Sequence, residues 1–166
     1  MGPLEGTIMK IEFGSGSSIK PGWEACDIRP LEGVKYVCNC WEIDNYVPED
    51  SVEEIYSRHM FEHLTFKQGE HALASWHKIL KIGGIVNLNL PDFKFHVDEY
   101  LQFYNNRHID GMPSFVHAIA GFYGWQREEE GSDHFTSNEE LWDVHKSGYD
   151  EVSLKLLTEK YGYRQF

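Results

Sequence analysis

The chain of 166 residues carries 27 acidic against 15 basic residues, a formal net charge of −12. That balance repels phosphate backbones, so no nucleic acid is expected as a partner, and a neutral or modestly cationic small-molecule substrate fits better. An apolar fraction of 41% and an aromatic fraction of 14% exclude disorder, and no apolar run approaches the roughly 20 residues of a membrane span, so no membrane partner is expected.

The length suits one domain, residues 1–166, with a real core. Residues 1–6 read as a loose leader. Thr7–Phe13 reads as a strand whose apolar members are Ile8, Met9, Ile11 and Phe13. It ends in an acidic residue and a glycine bend, Glu12-Phe13-Gly14-Ser15-Gly16. Glycine permits positive φ and holds no side chain against a ligand, and ligands of open α/β sheets lie beyond the carboxyl ends of the strands. Ten residues, Gly14 to Trp23, then lead to a second strand, Trp23–Ile28. A parallel crossover takes a dozen or more residues, usually with a helix. The first crossover is therefore shortened, and Pro21-Gly22 marks a turn. Val34–Cys40 reads as a third strand and Val52–Ser57 as a fourth.

A helix is predicted over Lys67–Lys81, with Leu73, Trp76, Ile79 and Leu80 as its buried stripe and Gly83 as its end. Ile85–Leu90 reads as a fifth strand, closed by Pro91-Asp92. A helix between two strands makes a βαβ unit and a parallel sheet. Beyond Pro91 the pattern gives a helix around Phe95–Tyr104, an aromatic loop over Gly111–Gly124 and an acidic stretch over Glu128–Asp133. A last helix follows near Tyr149–Tyr161, with Val152, Leu154, Leu156 and Leu157 as apolar members and Gly162 as its cap, and Tyr163–Phe166 reads as the start of another strand. Three cysteines, Cys26, Cys38 and Cys40, fit a reducing, cytoplasmic setting, and Cys38 and Cys40 read as small apolar fillers.

The landmarks fall in a fixed order. The glycine bend closes the first strand, Asp27 the second, and Cys40-Trp41-Glu42 follows the third. Ser57-Arg58-His59-Met60-Phe61-Glu62-His63-Leu64 follows the fourth, and Ile79-Leu80-Lys81-Ile82-Gly83-Gly84 leads into the fifth. The series resembles the class I S-adenosylmethionine-dependent methyltransferases, in their small, compact branch. The resemblance covers residues 8–92, with a weaker echo at Asp143-Val144-His145-Lys146-Ser147-Gly148-Tyr149. It implies an α/β fold: a Rossmann-like, doubly wound, mostly parallel sheet with a shortened first crossover and truncated C-terminal strands. Residues 8–92 become the cofactor-binding core and 93–166 the substrate side.

The resemblance implies S-adenosylmethionine as cofactor. Gly14, Ser15 and Gly16 would lie against its methionine part and Glu12 would bind its ammonium. Asp27 suits a grip on two ribose hydroxyls, because an ionised carboxylate only accepts hydrogen bonds. Trp41 would stack on the adenine or wall its pocket, Ile28 and Cys40 are further cofactor-binding candidates, and Arg58 and His59 stand at the pocket mouth with cofactor contacts. His59 and His145 are the candidate catalytic residues, His being the commonest base for an O- or N-nucleophile. His117, Tyr123, Trp125 and His134 are weaker substrate-side candidates, each by itself an ordinary structural or surface residue.

His59-Met60-Phe61-Glu62-His63 also matches the HxxEH pattern of the inverted zinc peptidases. On a helix the two histidines would share a face. A catalytic zinc needs a third protein ligand, and nothing downstream shows that family's further pattern, so no metal is expected. Glu62 and His63 are instead expected to orient the loop and to cap backbone groups. The expected function is methyl transfer to a small-molecule or saccharide acceptor. The alternative is a non-catalytic, methyltransferase-like cofactor-binding or partner subunit. A nicotinamide oxidoreductase is disfavoured, since Ser17-Ser18-Ile19 stands where a third glycine belongs. An open sheet edge invites pairing with another copy, so a homodimer is expected.

Overall fold

The structure, a computed structural model, describes residues 9–106, 115–125 and 144–164. Five strands pair throughout in parallel: β1 (Met9–Phe13), β2 (Glu24–Asp27), β3 (Val34–Val37), β4 (Val52–Arg58) and β5 (Leu80–Asn89). Their order across the sheet is β3-β2-β1-β4-β5. Four α-helices accompany them among the described residues: α1 (Phe66–Ile79), α2 (Phe93–Asn105), α3 (Phe115–Tyr123) and α4 (Glu151–Lys160). The α/β, Rossmann-like architecture is the expected one. The β1–β2 crossover is a run of turns with no helix, also as expected.

The core forms where β1, β4 and α1 meet. Ile11, Phe13, Val52, Ile55, Leu73, Trp76 and Ile79 are fully buried. Trp76 stacks on Phe13 at 4.6 Å between centroids, and its Nε1 donates to the Cys40 carbonyl at 3.0 Å. A buried indole N–H needs such a partner. Thr65 and Gln68 close a reciprocal capping box at the start of α1, satisfying two amides that the helix itself cannot bond. All three cysteines are buried, Cys38 and Cys40 as expected of fillers. Burial pushes the Cys26 thiol well up and the Cys40 thiol to about 12.

The sheet's other face is polar and meets solvent. Lys10 pairs with Glu54 at 2.7 Å, and Asn87 donates to the same carboxylate at 2.7 Å. Tyr56 meets Trp23 edge to face, with the Lys20 ammonium 3.2 Å from the Tyr56 ring centroid. Arg58, Ile85 and Asn87 on that side are exposed.

Several expected boundaries move. β1 is described from Met9, Thr7 and Ile8 lying outside the described residues. β3 ends at Val37, not Cys40, because the chain turns into a 3-10 helix at Cys40–Asn45. α1 ends at Ile79, not Lys81, where Leu80 takes extended backbone (φ −70°, ψ 134°) and opens β5 directly. Gly83 is therefore no helix cap. It sits at φ +81° in a bulge, since the register jumps from Val52–Leu80 to Glu54–Ile85. The bulge throws Ile82 wholly into solvent.

The aromatic segment expected as a loop is helical over Phe115–Tyr123; Gly111 to Ser114, like the acidic stretch Glu128–Asp133, lies outside the described residues. In α4 only Leu154 is buried; Leu157 packs partly on the core, and Val152 and Leu156 are exposed. Tyr163 and Arg164 are in no strand, and Gln165 and Phe166 lie outside the described residues. The Tyr163 hydroxyl donates to the Leu73 carbonyl at 3.0 Å, which lays the residues after α4 on α1.

Candidate functional site

The carboxyl ends of β1, β2 and β4 lie side by side at the centre of the sheet, where the register pairs Phe13 with Cys26 and with Ser57. Two acidic side chains close adjacent strands there. Glu12 is buried, and its Oε2 accepts from the Lys20 amide at 2.9 Å. Asp27 is buried, and its Oδ2 accepts from the Gly16 amide at 3.0 Å. Both carboxylates thus hold the loop that carries the glycine bend.

Gly14 (φ +67°) and Gly16 (φ +57°) are both left-handed, a conformation that side chains with a Cβ resist. The Gly14 amide donates to the Cys26 carbonyl at 2.9 Å. The two glycines face different neighbours. A Cβ on Gly14 would lie 2.5 Å from Met60 Cγ, so its bareness admits Met60. A Cβ on Gly16 would find only Arg29 Nη2, at 3.6 Å. Gly16 is therefore the one with room for a ligand. Ser15 between them is buried.

Asp27 has a second partner that sequence reasoning missed. Arg29 donates from its amide at 2.9 Å and from Nε at 3.1 Å to Oδ1, and from Nη2 at 3.3 Å to Oδ2. Burial pushes the Asp27 carboxyl up, but the Arg29 side chain and the Arg29 and Gly16 amides outweigh it and hold it below the ordinary value. The signal was present in the sequence as an Asp two residues before an Arg at a strand end.

Ile28 is exposed beside Asp27. Cys40 is buried in the core, and its carbonyl serves Trp76. Trp41 is half-buried against the same core. The Cys38 amide donates to the Asp27 carbonyl at 3.3 Å, which brings this segment to the end of β2.

Arg58 ends β4 and is exposed. His59 has φ +49°, strained for a residue with a Cβ, and is held there by its amide donating to the Asn89 carbonyl at 2.9 Å. Its side chain is 55% exposed, with Nδ1 3.3 Å from Glu62 Oε1. The HxxEH residues are not on an α-helix. The left-handed His59 is followed by a 3-10 turn, Phe61–His63, so the shared helical face that the motif match would need does not arise.

His63 faces His145 instead, ring centroids 5.2 Å apart and edge to face. His63 Nδ1 donates to the Val144 carbonyl at 2.9 Å, and the Glu62 carbonyl accepts from the Lys146 and Ser147 amides. The His145 amide donates to the Tyr123 carbonyl and its Nδ1 to the Gly121 carbonyl at 3.1 Å. Beyond this node lies a second, missed cluster: Glu99 accepts from His96 Nδ1 at 2.9 Å and from His117 Nδ1 at 2.9 Å. The i, i+3 spacing of His96 and Glu99 on a helix could have signalled it. Tyr123 is exposed, Trp125 sits with its ring 6.2 Å from that of His117, and His134 lies outside the described residues.

No protein-family model matches the chain, and no curated protein matches it by sequence. Solved structures do match. A SAM-dependent methyltransferase from Archaeoglobus fulgidus aligns with a TM-score of 0.53 at 14% identity, over 95% of this chain and 62% of its own. PKMT2 from Rickettsia typhi, solved in complex with AdoHcy, aligns with a TM-score of 0.54 at 11% identity, over 93% of this chain and 39% of its own. The chain has the class I methyltransferase fold. It spans less than two thirds of the length of either neighbour.

Proposed function

We propose that the chain binds S-adenosylmethionine and transfers its methyl group to a small-molecule or saccharide acceptor. The observation that carries this reading is the acidic pair, Glu12 and Asp27, closing neighbouring strands around a left-handed glycine bend. The fold shared with solved methyltransferases supports it.

The residues present fit such a cofactor. Gly16 leaves the loop backbone open to approach, and Gly14, Ser15 and Gly16 form its bed. Glu12 offers a carboxylate to an ammonium. Asp27, now paired with the half-exposed Arg29 guanidinium, would hold a ribose diol. Ile28, Trp41 and the backbone of Cys40 flank the adenine, with Arg58 at the mouth. Bound there, the cofactor supplies a methyl group on a positive sulfur, open to in-line attack. The chain supplies position and exclusion of water. His59, solvent-reaching and hinged on strained backbone, takes the proton of an O- or N-nucleophile. His145 walls the acceptor side.

Calorimetry with S-adenosylmethionine and S-adenosylhomocysteine tests the reading. Saturable binding that weakens at least about tenfold in Asp27→Ala supports it, on the loss of a charged hydrogen-bonding partner. Absence of binding at millimolar ligand overturns it. We further propose that copies pair along the outer edge of β5, the last strand of the sheet among the described residues, where Ile82 and Ile85 are exposed. Among the described residues, no helix is long and apolar enough to cross a membrane.

A further inference from the structure

We propose that Glu62, His63 and His145 form a binding site for a divalent transition-metal ion, zinc being the probe of choice. One ligand-capable atom of each lies within 4.8 Å of one on each of the others. A tetrahedral ion with bonds of about 2.1 Å draws its ligand atoms to roughly 3.4 Å apart, so closure takes about an ångström of side-chain movement.

The hydrogen bonds around the two imidazoles fix the required tautomer. His63 Nδ1 faces the Val144 carbonyl at 2.9 Å, and His145 Nδ1 faces the Gly121 carbonyl at 3.1 Å. A carbonyl only accepts, so in each neutral ring Nδ1 carries the proton and Nε2 the lone pair. An imidazole tethered through Nδ1–H to a backbone carbonyl is the usual second layer of a metal-binding histidine. Glu62 completes the set as a carboxylate whose side chain is only 2% exposed. Such a buried charge sits well beside a cation.

The HxxEH motif thereby gains a different reading. Its missing third ligand comes from 82 residues beyond His63 in the chain, and His59 is not part of the set. The other cluster, on α2 and α3, lacks this arrangement. There Glu99 itself receives both Nδ1 groups, of His96 and His117, at 2.9 Å, so the carboxylate and the rings already satisfy one another. The proposed ion would tie the turn after β4 to the segment before α4, where Lys146 and Ser147 amides already reach the Glu62 carbonyl. The site does not depend on the methyl-transfer reading.

The test uses the full chain, stripped with chelator and titrated with zinc alone by calorimetry, with cobalt(II) absorption reporting the geometry. One zinc per chain is expected. His145→Gln and the isosteric Glu62→Gln are expected to weaken it by on the order of a hundredfold, with circular dichroism showing both folded. His71→Gln, an exposed histidine on α1, leaves binding unchanged. Zinc is also expected to raise the melting temperature of the parent chain and not of His145→Gln, since an ion bound only by the folded state stabilises it. No zinc or cobalt binding, binding undiminished in the two Gln variants, or binding lost in His117→Gln instead would each overturn the proposal. None of these readouts involves S-adenosylmethionine.

Discussion

Gly14 and Gly22 share a left-handed backbone but differ in what surrounds them. Gly22 (φ +80°) has open space where a Cβ would stand, whereas Gly14 has Met60. Gly22→Ala is expected to cost only the conformational penalty, about 1–2 kcal/mol. Gly14→Ala adds overpacking of about 1–3 kcal/mol, so its urea midpoint falls further. Equal losses in the two variants would show that Met60 yields without strain.

Asp27 sets a pH dependence at the same scale. Its folded carboxyl is held below the ordinary value of 3.8, so its stabilisation is complete above that value and is lost as pH falls through the lowered one. Asp27→Asn is expected to flatten the acid limb of a stability profile, measured as urea midpoint against pH; an unchanged limb would remove Asp27 as its cause. The acidic strand ends were legible in the sequence because an apolar run stops at each. The strained His59 was not: it depends on how the loop after β4 folds back, and no local spacing encodes that.

Among the elements, α1 was the most legible. Of its expected stripe, Leu73, Trp76 and Ile79 are buried as the helical period requires, while Leu80 is buried as the first residue of β5. Trp76→Ala is expected to cost about 3–5 kcal/mol, by chemical denaturation. Trp76→Phe keeps most of the stack on Phe13 but leaves the Cys40 carbonyl without its donor, a loss of about 1–3 kcal/mol. If the two variants matched, the indole N–H would carry no separate weight. The α1–β5 junction was misread because Lys81-Ile82-Gly83-Gly84 looks like a helix stop. In the fold the stop comes earlier, and the glycines serve a bulge. α3 was misread because Phe115–Tyr123 is apolar nearly all round, which hides a helical period. The histidine node at His63 and His145 joins residues too distant in the chain for any spacing rule.

For the whole molecule, the proposed pairing of copies along the β5 edge can be tested with one substitution. Ile82 takes part in no core contact, so Ile82→Lys is expected to leave stability within about 0.5 kcal/mol. If copies pair there, the same change converts the dimer to monomer by light scattering after size exclusion. A monomeric parent chain would end that reading. A parallel sheet was foreseeable from the strand–helix–strand spacing around α1, and an open edge was expected, whereas the bulge that exposes Ile82 on it was not, because it is a tertiary feature.

Parallel sheets usually sit between two apolar layers. This one keeps Lys10, Glu54 and Asn87 wet on one side. Unfolding therefore uncovers less hydrocarbon per residue than is normal for a chain of this size. Its heat-capacity increment is expected below the common range of about 12–15 cal/mol/K per residue, measurable by scanning calorimetry. A correspondingly flat stability curve is expected, with cooling weakening the fold only slowly.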